Sequence, residues 1–87
     1  KKRYGITLEQ YRAMEAEQGG VCAICKNPEK DMDHKNNRVR NLAVDHDHRT
    51  GKVRRLLCGG CNKGIGNFQE DSARLQAAAD YLRQFGN

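Results

Sequence analysis

Two groups of residues in this 87-residue chain have the types and spacing to do chemistry. The first is a cysteine quartet. Cys22 and Cys25 form one C-x-x-C, Cys58 and Cys61 form another, and 32 residues separate the pairs. A C-x-x-C can bend around one ion and offer it two thiolates, so two such knuckles complete the tetrahedral sulfur shell that zinc prefers. With all four positions taken by protein, the expected zinc is structural, and its binding free energy becomes folding free energy. A redox pair needs only one C-x-x-C beside a βαβ pattern, which is not seen here, and a disulfide set suits a secreted chain.

The second group is the run Val44-Asp45-His46-Asp47-His48, with Asn62 directly after the last cysteine. Four ionisable side chains in a row at the end of a short strand are hard to explain as packing. Zinc is accounted for by sulfur, so oxygen and imidazole ligands here would suit a harder divalent ion such as Mg²⁺ or Mn²⁺. Zinc at Cys58 and Cys61 would join a strand to the helix carrying Asn62 and place that amide across from the cluster. Strict strand alternation puts His46 and His48 on one face and Asp45 on the other. The segment must therefore leave regular β geometry near Asp45 if the three are to converge. His34, in Asp31-Met32-Asp33-His34, matches no motif and reads as ordinary surface.

The elements that must hold these groups are short. Thr7 and Gln10 have capping-box spacing, and Leu8, Tyr11 and Met14 recur at helical intervals before Gly19-Gly20, which predicts a helix over 7–18. Residues 26–40 are polar and aperiodic, with Asn27-Pro28 and Asn36-Asn37 as turn signals, and read as a loop. Leu42 to Val44 and Val53 to Leu57 have strand character, and Arg49-Thr50-Gly51 supplies turn chemistry, so a hairpin is expected over about 42–57. A helix follows near 61–68 despite Gly64 and Gly66, and another at 72–85 is capped by Asp71 or Ser72, with Leu75, Ala78, Ala79, Leu82 and Phe85 on one stripe.

Together the run from Val44 through Arg54, then Leu56-Leu57-Cys58 and Cys61-Asn62, resembles the endonuclease VII group of HNH nucleases. Tyr4-Gly5-Ile6-Thr7 and Gly19-Gly20-Val21-Cys22-Ala23-Ile24-Cys25 are also similar to that family, so the resemblance covers most of the chain, read as one domain over 1–87. It implies a small α+β fold: a ββα-metal (HNH, His-Me finger) core stapled by the four-cysteine zinc site, with flanking N- and C-terminal helices. It implies metal-dependent hydrolysis of DNA phosphodiesters to 5′-phosphate and 3′-hydroxyl ends. Asp45 and Asn62 would bind the catalytic Mg²⁺, Mn²⁺ or other divalent ion, His46 would be the general base, and His48 would position or polarise the scissile phosphate. Arg55 stands where the family usually has Gly.

Composition bears on the same reading. The large aliphatics and Phe number 15 of 87, about 17% and below the ~20% at which charged chains tend toward disorder, so hydrophobic burial alone is insufficient. No apolar run approaches the ~18–20 residues of a membrane span, and the start lacks a secretion signal, so a cytoplasmic protein of a bacterium or phage-infected cell is expected. Residues 33–55 hold seven Lys/Arg against three Asp, placing +4 of the net +5 around the hairpin. Arg49, Lys52, Arg54 and Arg55 are candidate DNA phosphate contacts, which give affinity without sequence information. With no aromatic platform and no basic recognition helix, little sequence preference is expected. The alternative is a non-catalytic zinc-knuckle DNA-binding module. A third reading is a structural adaptor docking a partner through the Leu75–Phe85 stripe. A homodimer or a phage or restriction-system partner stays open.

Overall fold

The computed structural model describes the backbone of residues 2–3 and 5–87, with side chains from residue 5 on. Tyr4, which heads the Tyr4-Gly5-Ile6-Thr7 motif, lies outside the described residues. In order, the chain forms β1 (Lys2–Arg3), β2 (Ile6–Thr7), α1 (Leu8–Glu17), β3 (Met32–Asp33), β4 (Arg38–Val39), β5 (Ala43–His46), β6 (Val53–Leu57), α2 (Gly59–Asn67) and α3 (Ser72–Gln84). The strands pair antiparallel as three separate ribbons, β1 with β2, β3 with β4 and β5 with β6.

The start of α1 is set locally. Thr7 Oγ1 accepts from the Gln10 N–H and Gln10 Oε1 accepts from the Thr7 N–H, at 3.1 and 2.8 Å, the reciprocal capping box read from the sequence. Tyr11 and Met14 of α1 pack on the core, and the Tyr11 hydroxyl donates to the Leu42 carbonyl at 2.7 Å. At the other end, Gln18 acts as a side-chain clamp. Its amide oxygen accepts from the Leu56 N–H at 2.9 Å, and its Nε2 donates to the Val21 and Leu56 carbonyls at 2.8 and 3.0 Å. That clamp ties α1 and the first cysteine knuckle to β6.

Residues 26–40, expected as a structureless loop, contain the β3–β4 ribbon with Met32 opposite Val39 and Asp33 opposite Arg38. Two-residue strands are too short to show alternation, so no periodicity announced them. What closes the turn is Asp33, whose carboxylate accepts from the N–H groups of Lys35 and Asn36 and from Asn36 Nδ2. The Asn36 amide is the first of the contacts that hold the Asp33 carboxyl below its usual range. His34 is exposed beside that turn.

The core is small: Cys22, Leu42, Leu56 and Leu57 are buried together, with Tyr11, Met14, Ala23, Val44, Cys58, Cys61 and Ile65 packed around them. The helix after the hairpin begins at Gly59, two residues before the Cys61 start read from the sequence. Four of its nine residues are glycine, which relative to Ala sacrifices about 1 kcal/mol each. Something outside the helix must hold it, and its N-terminus shows what: Cys58 Sγ accepts from the Cys61 N–H at 3.4 Å, and Glu29 Oε2 accepts from the Gly59 N–H at 2.7 Å. The stripe read along α3 is covered only in its first half. Leu75, Ala78 and Ala79 are half-buried, whereas Leu82 is 50% and Phe85 72% exposed because the helix runs on beyond the small core.

Candidate metal centre and nuclease site

The zinc candidate assembles from two chain segments. In the first knuckle the Cys22 N–H bonds the Asn27 carbonyl at 2.9 Å, Lys26 turns back through a left-handed φ of 63°, and the Ile24 N–H points at Cys22 Sγ at 3.4 Å. In the second, Cys58 caps α2 and Cys61 lies in its first turn. The four sulfurs lie within 4.8 Å of one another, and Cys25 and Cys58 stand 3.8 Å apart. Zn–S bonds of ~2.3 Å in tetrahedral geometry put sulfurs about 3.8 Å apart, so the quartet has the dimensions of a zinc shell.

Electrostatics points the same way. Burial raises the Cys22 thiol, but hydrogen bonds toward its sulfur outweigh that and bring it down to about 6. Burial and the adjoining thiols push Cys61 up to about 12. Four thiols in so small a space cannot all ionise beside one another, and a divalent cation among them removes that conflict. Among the described residues this is the one cluster of three or more Cys, His, Asp or Glu side chains close enough to hold an ion.

At the opposite end of the hairpin, β5 and β6 do leave regular geometry at Asp45. Val44 pairs with Leu56 but His46 pairs with Val53, so Arg54 and Arg55 together face the single residue Asp45 in a β-bulge. Asp45 is buried, at 6% exposure. Its carboxylate receives Arg54 in a two-pronged pair, Nε to Oδ2 at 2.6 Å and Nη2 to Oδ1 at 3.0 Å. Arg54 Nη2 also donates to Glu70 Oε1 at 2.7 Å, and Glu70 Oε2 lies 2.7 Å from His48 Nε2. Held first by Asp45 and then by Glu70, the guanidinium is kept protonated more firmly than usual.

The sequence-derived residues therefore distribute unevenly. Asp45, Arg54 and His48 are joined into one network, and its fourth member, Glu70, was not among them. No spacing relates Glu70 to the hairpin, and its neighbours Asp71 and Ser72 read as a helix cap. Asp71 does cap α3, accepting from the Ala73 and Arg74 N–H groups at 2.9 and 3.3 Å. Asp47 belongs to the turn: its carboxylate accepts from the N–H groups of Arg49 and Thr50 at 2.8 and 3.2 Å, and those bonds hold it below its usual range.

His46 is half-buried on β5, with Gly5 close to its Nε2: a Cβ on Gly5 would stand 3.9 Å from that nitrogen. Gly5 itself has φ +86°, a left-handed conformation that favours glycine. Asn62, in the first turn of α2, lines a groove of about 800 Å³ with Tyr11, Arg40, Ala43, Val44 and Lys63. Among the described residues no hydrogen bond joins Asp45 to Asn62. Of the four basic residues expected at DNA, Arg54 is balanced by two carboxylates, while Arg49, Lys52 and Arg55 are exposed and, among the described residues, outside any such network.

One buried carboxylate and one amide oxygen are the hard donors that Mg²⁺ or Mn²⁺ takes, so the donor chemistry of Asp45 and Asn62 fits a divalent ion. A cation already has a place at Asp45, filled here by the Arg54 guanidinium. A metal at that carboxylate would use the lone pairs that the two Arg54 hydrogen bonds leave free, or displace one of those bonds.

A hairpin feeding a helix, with four clustered sulfurs at one end and His and Asp at the other, makes this a small α+β chain whose cysteine cluster is consistent with a structural zinc site. The chain belongs to the recombination endonuclease VII family, whose model it matches over residues 1–84. Its curated relatives include the Gene 59 proteins of Mycobacterium phage D29, 48% identical over 82 residues, and of Mycobacterium phage L5, 47% identical over 80 residues. Those matches take in 93% and 91% of this chain but 46% and 44% of the relatives. The chain thus spans about half the length of the curated relatives it matches. No helix among the described residues is long and apolar enough to cross a membrane.

Proposed function

We propose that this chain is a metal-dependent DNA endonuclease domain in which His46 activates water against a phosphodiester bond. The observation that supports this best is the bulge at Asp45, within a chain of the endonuclease VII family. It buries a carboxylate next to a half-buried imidazole on β5, and the partner strand β6 runs at its other end into Cys58 of the sulfur cluster.

Each residue then has a task its surroundings suit. A neutral His46 imidazole takes the proton from the attacking water. Asp45 and Asn62 hold the divalent ion. When bound, that ion neutralises charge on the scissile phosphate and the leaving oxygen. His48, at the edge of a cleft of about 450 Å³ that Arg49 and Arg54 also line, orients the phosphate. Arg49, Lys52 and Arg55 grip neighbouring phosphates without reading bases, so sequence preference is low and binding falls steeply with salt.

The test is supercoiled plasmid with a panel of divalent ions, wild type beside His46→Ala. Wild type should convert plasmid to nicked or linear forms, while the variant, with unchanged zinc content, should not. A second reading draws on the two-pronged Arg54–Asp45 pair, which occupies both carboxylate oxygens. If that pair keeps a metal off Asp45, the chain is a zinc-knuckle module that binds DNA and releases no product with any ion in the panel.

A further inference from the structure

We infer that Glu70 is a positioning residue of this site, accepting from His48 Nε2–H and so fixing the orientation of a ring that donates to the phosphate from Nδ1 once that nitrogen is protonated. The inference rests on the endonuclease reading above and extends it to a residue from the link between α2 and α3.

Three features carry it. First, the Glu70 carboxylate is shared by two groups of the hairpin 16 and 22 residues earlier in the chain, with Oε1 on Arg54 Nη2 and Oε2 on His48 Nε2, both at 2.7 Å. Second, the His48 side chain is 80% exposed, so packing does little to restrain an imidazole that would otherwise sample its rotamers freely. A carboxylate on one ring nitrogen fixes both the ring orientation and which nitrogen carries hydrogen. Third, Gln69 and Glu70 both sit in the left-handed region, at φ 58° and 54°, which disfavours any residue but glycine. Strained backbone of this kind persists where the surroundings over-determine it, and it gathers at functional sites. The strain closes α2, through Gln69 N–H to the Gly66 carbonyl at 2.9 Å and Glu70 N–H to the Ile65 carbonyl at 2.8 Å. It also leaves the Glu70 side chain over the hairpin, only 20% exposed.

One guanidinium, Arg54, faces two carboxylates, Glu70 and Asp45, so the group keeps a net negative charge that a divalent ion held at Asp45 would offset beside a phosphate. One carboxylate thereby couples the residue that orients phosphate to the residue that holds the metal ligand.

The experiment uses the whole chain and the variants Glu70→Ala and Glu70→Gln, after zinc content and circular dichroism have shown both to be folded. Plasmid cleavage gives kcat and KM, and long-range ¹H–¹⁵N correlation of the ring at pH 8 shows which His48 nitrogen is protonated. Wild type should carry hydrogen on Nε2. Glu70→Ala should lose that preference and lower kcat about 10- to 100-fold, the range typical for partners that orient functional histidines, with KM within about two-fold. Glu70→Gln, whose amide oxygen can still accept from Nε2–H, should retain part of both.

Wild-type kcat in Glu70→Ala overturns the inference, and so does a loss of kcat with His48 ring signals unchanged. His46→Ala separates this from failure of the underlying reading. If His46→Ala is inactive and Glu70→Ala is not, Glu70 alone was misassigned. Turnover by His46→Ala removes the endonuclease mechanism and this inference with it.

Discussion

At its Leu57 end the β5–β6 hairpin runs into buried leucines and four sulfurs; at its Asp47 end it runs into a turn, two carboxylates, a guanidinium and an imidazole. The first end is regular and closed: Ala43 pairs with Leu57 and Val44 with Leu56, and both leucines are buried. The second is irregular and open, with its register broken at Asp45 and His48 largely in solvent. The difference shows how a chain with little hydrocarbon divides its labour. With zinc at the cysteine cluster, folding energy would be concentrated at that end, which would free the other end to carry buried charge and strained backbone that a core of four residues could not support.

The largest effect should come from breaking the closed end. Structural zinc contributes an apparent ~10–16 kcal/mol in small metal-stapled peptides, more than most domains of this size have in total. Chelation, or Cys58→Ala, which removes one ligand and the α2 cap together, should therefore unfold the chain globally. Circular dichroism of verified metal-free protein checks this; an unchanged spectrum would show the sulfur cluster to be dispensable. Breaking the open end should do the opposite. His46→Ala should cut cleavage about 10²- to 10⁴-fold, the usual yield of a general base, while the thermal midpoint moves little.

The two ends were also unequally legible in the sequence. C-x-x-C spacing encodes its own geometry, since two residues of separation suffice to wrap an ion, and Thr7 with Gln10 encodes a cap for the same local reason. The need for a break in β geometry at Asp45 was readable too, because alternation alone sets His46 against it. What could not be read was the network around that break. Arg54 counted as a free charge for DNA, yet the bulge gives it a carboxylate on the partner strand. Glu70 reaches His48 from the link after α2, where it and Gln69 are left-handed. Such contacts depend on tertiary placement, and no periodicity records them. The β3–β4 ribbon escaped because strands of two residues have no pattern to show.

An intermediate effect is expected from separating the ion pair at the open end. Arg54→Met leaves the Asp45 carboxylate buried without its partner. Removing one member of a fully buried pair costs ~3–5 kcal/mol, and because Arg54 is 37% exposed we expect about 1–3 kcal/mol by chemical denaturation. Millimolar Mg²⁺ should restore part of that loss in the variant, and more than it adds to wild type, since Asp45 is then open to a cation. Equal Mg²⁺ effects on both proteins would argue that Asp45 holds no ion and would favour the non-catalytic module.

The smallest effect concerns α2, the element both ends share. Glu29 is half-buried; its burial raises its carboxyl, but the N–H groups of Asp31, Gly59 and Lys30 together outweigh that and hold it below the usual carboxylate range. Glu29→Gln should cost about 1 kcal/mol at pH 7, as for loss of a helix N-terminal acceptor. Because the folded value is depressed, this stabilisation is complete above the unfolded value of ~4.3 and is lost only as pH falls through the lower folded one. The gap between wild type and variant should therefore stay flat from pH 7 to about 5. Thiolates that bind zinc are displaced by protons as pH falls, so loss of fold in that window that both proteins share belongs to groups other than Glu29, the zinc cysteines among them. Stability curves of the two proteins across pH 5–7, run at fixed zinc, make the distinction. Parallel curves assign acid sensitivity to groups other than Glu29, whereas a gap that closes by pH 5.5 would move it to the carboxylate that caps α2.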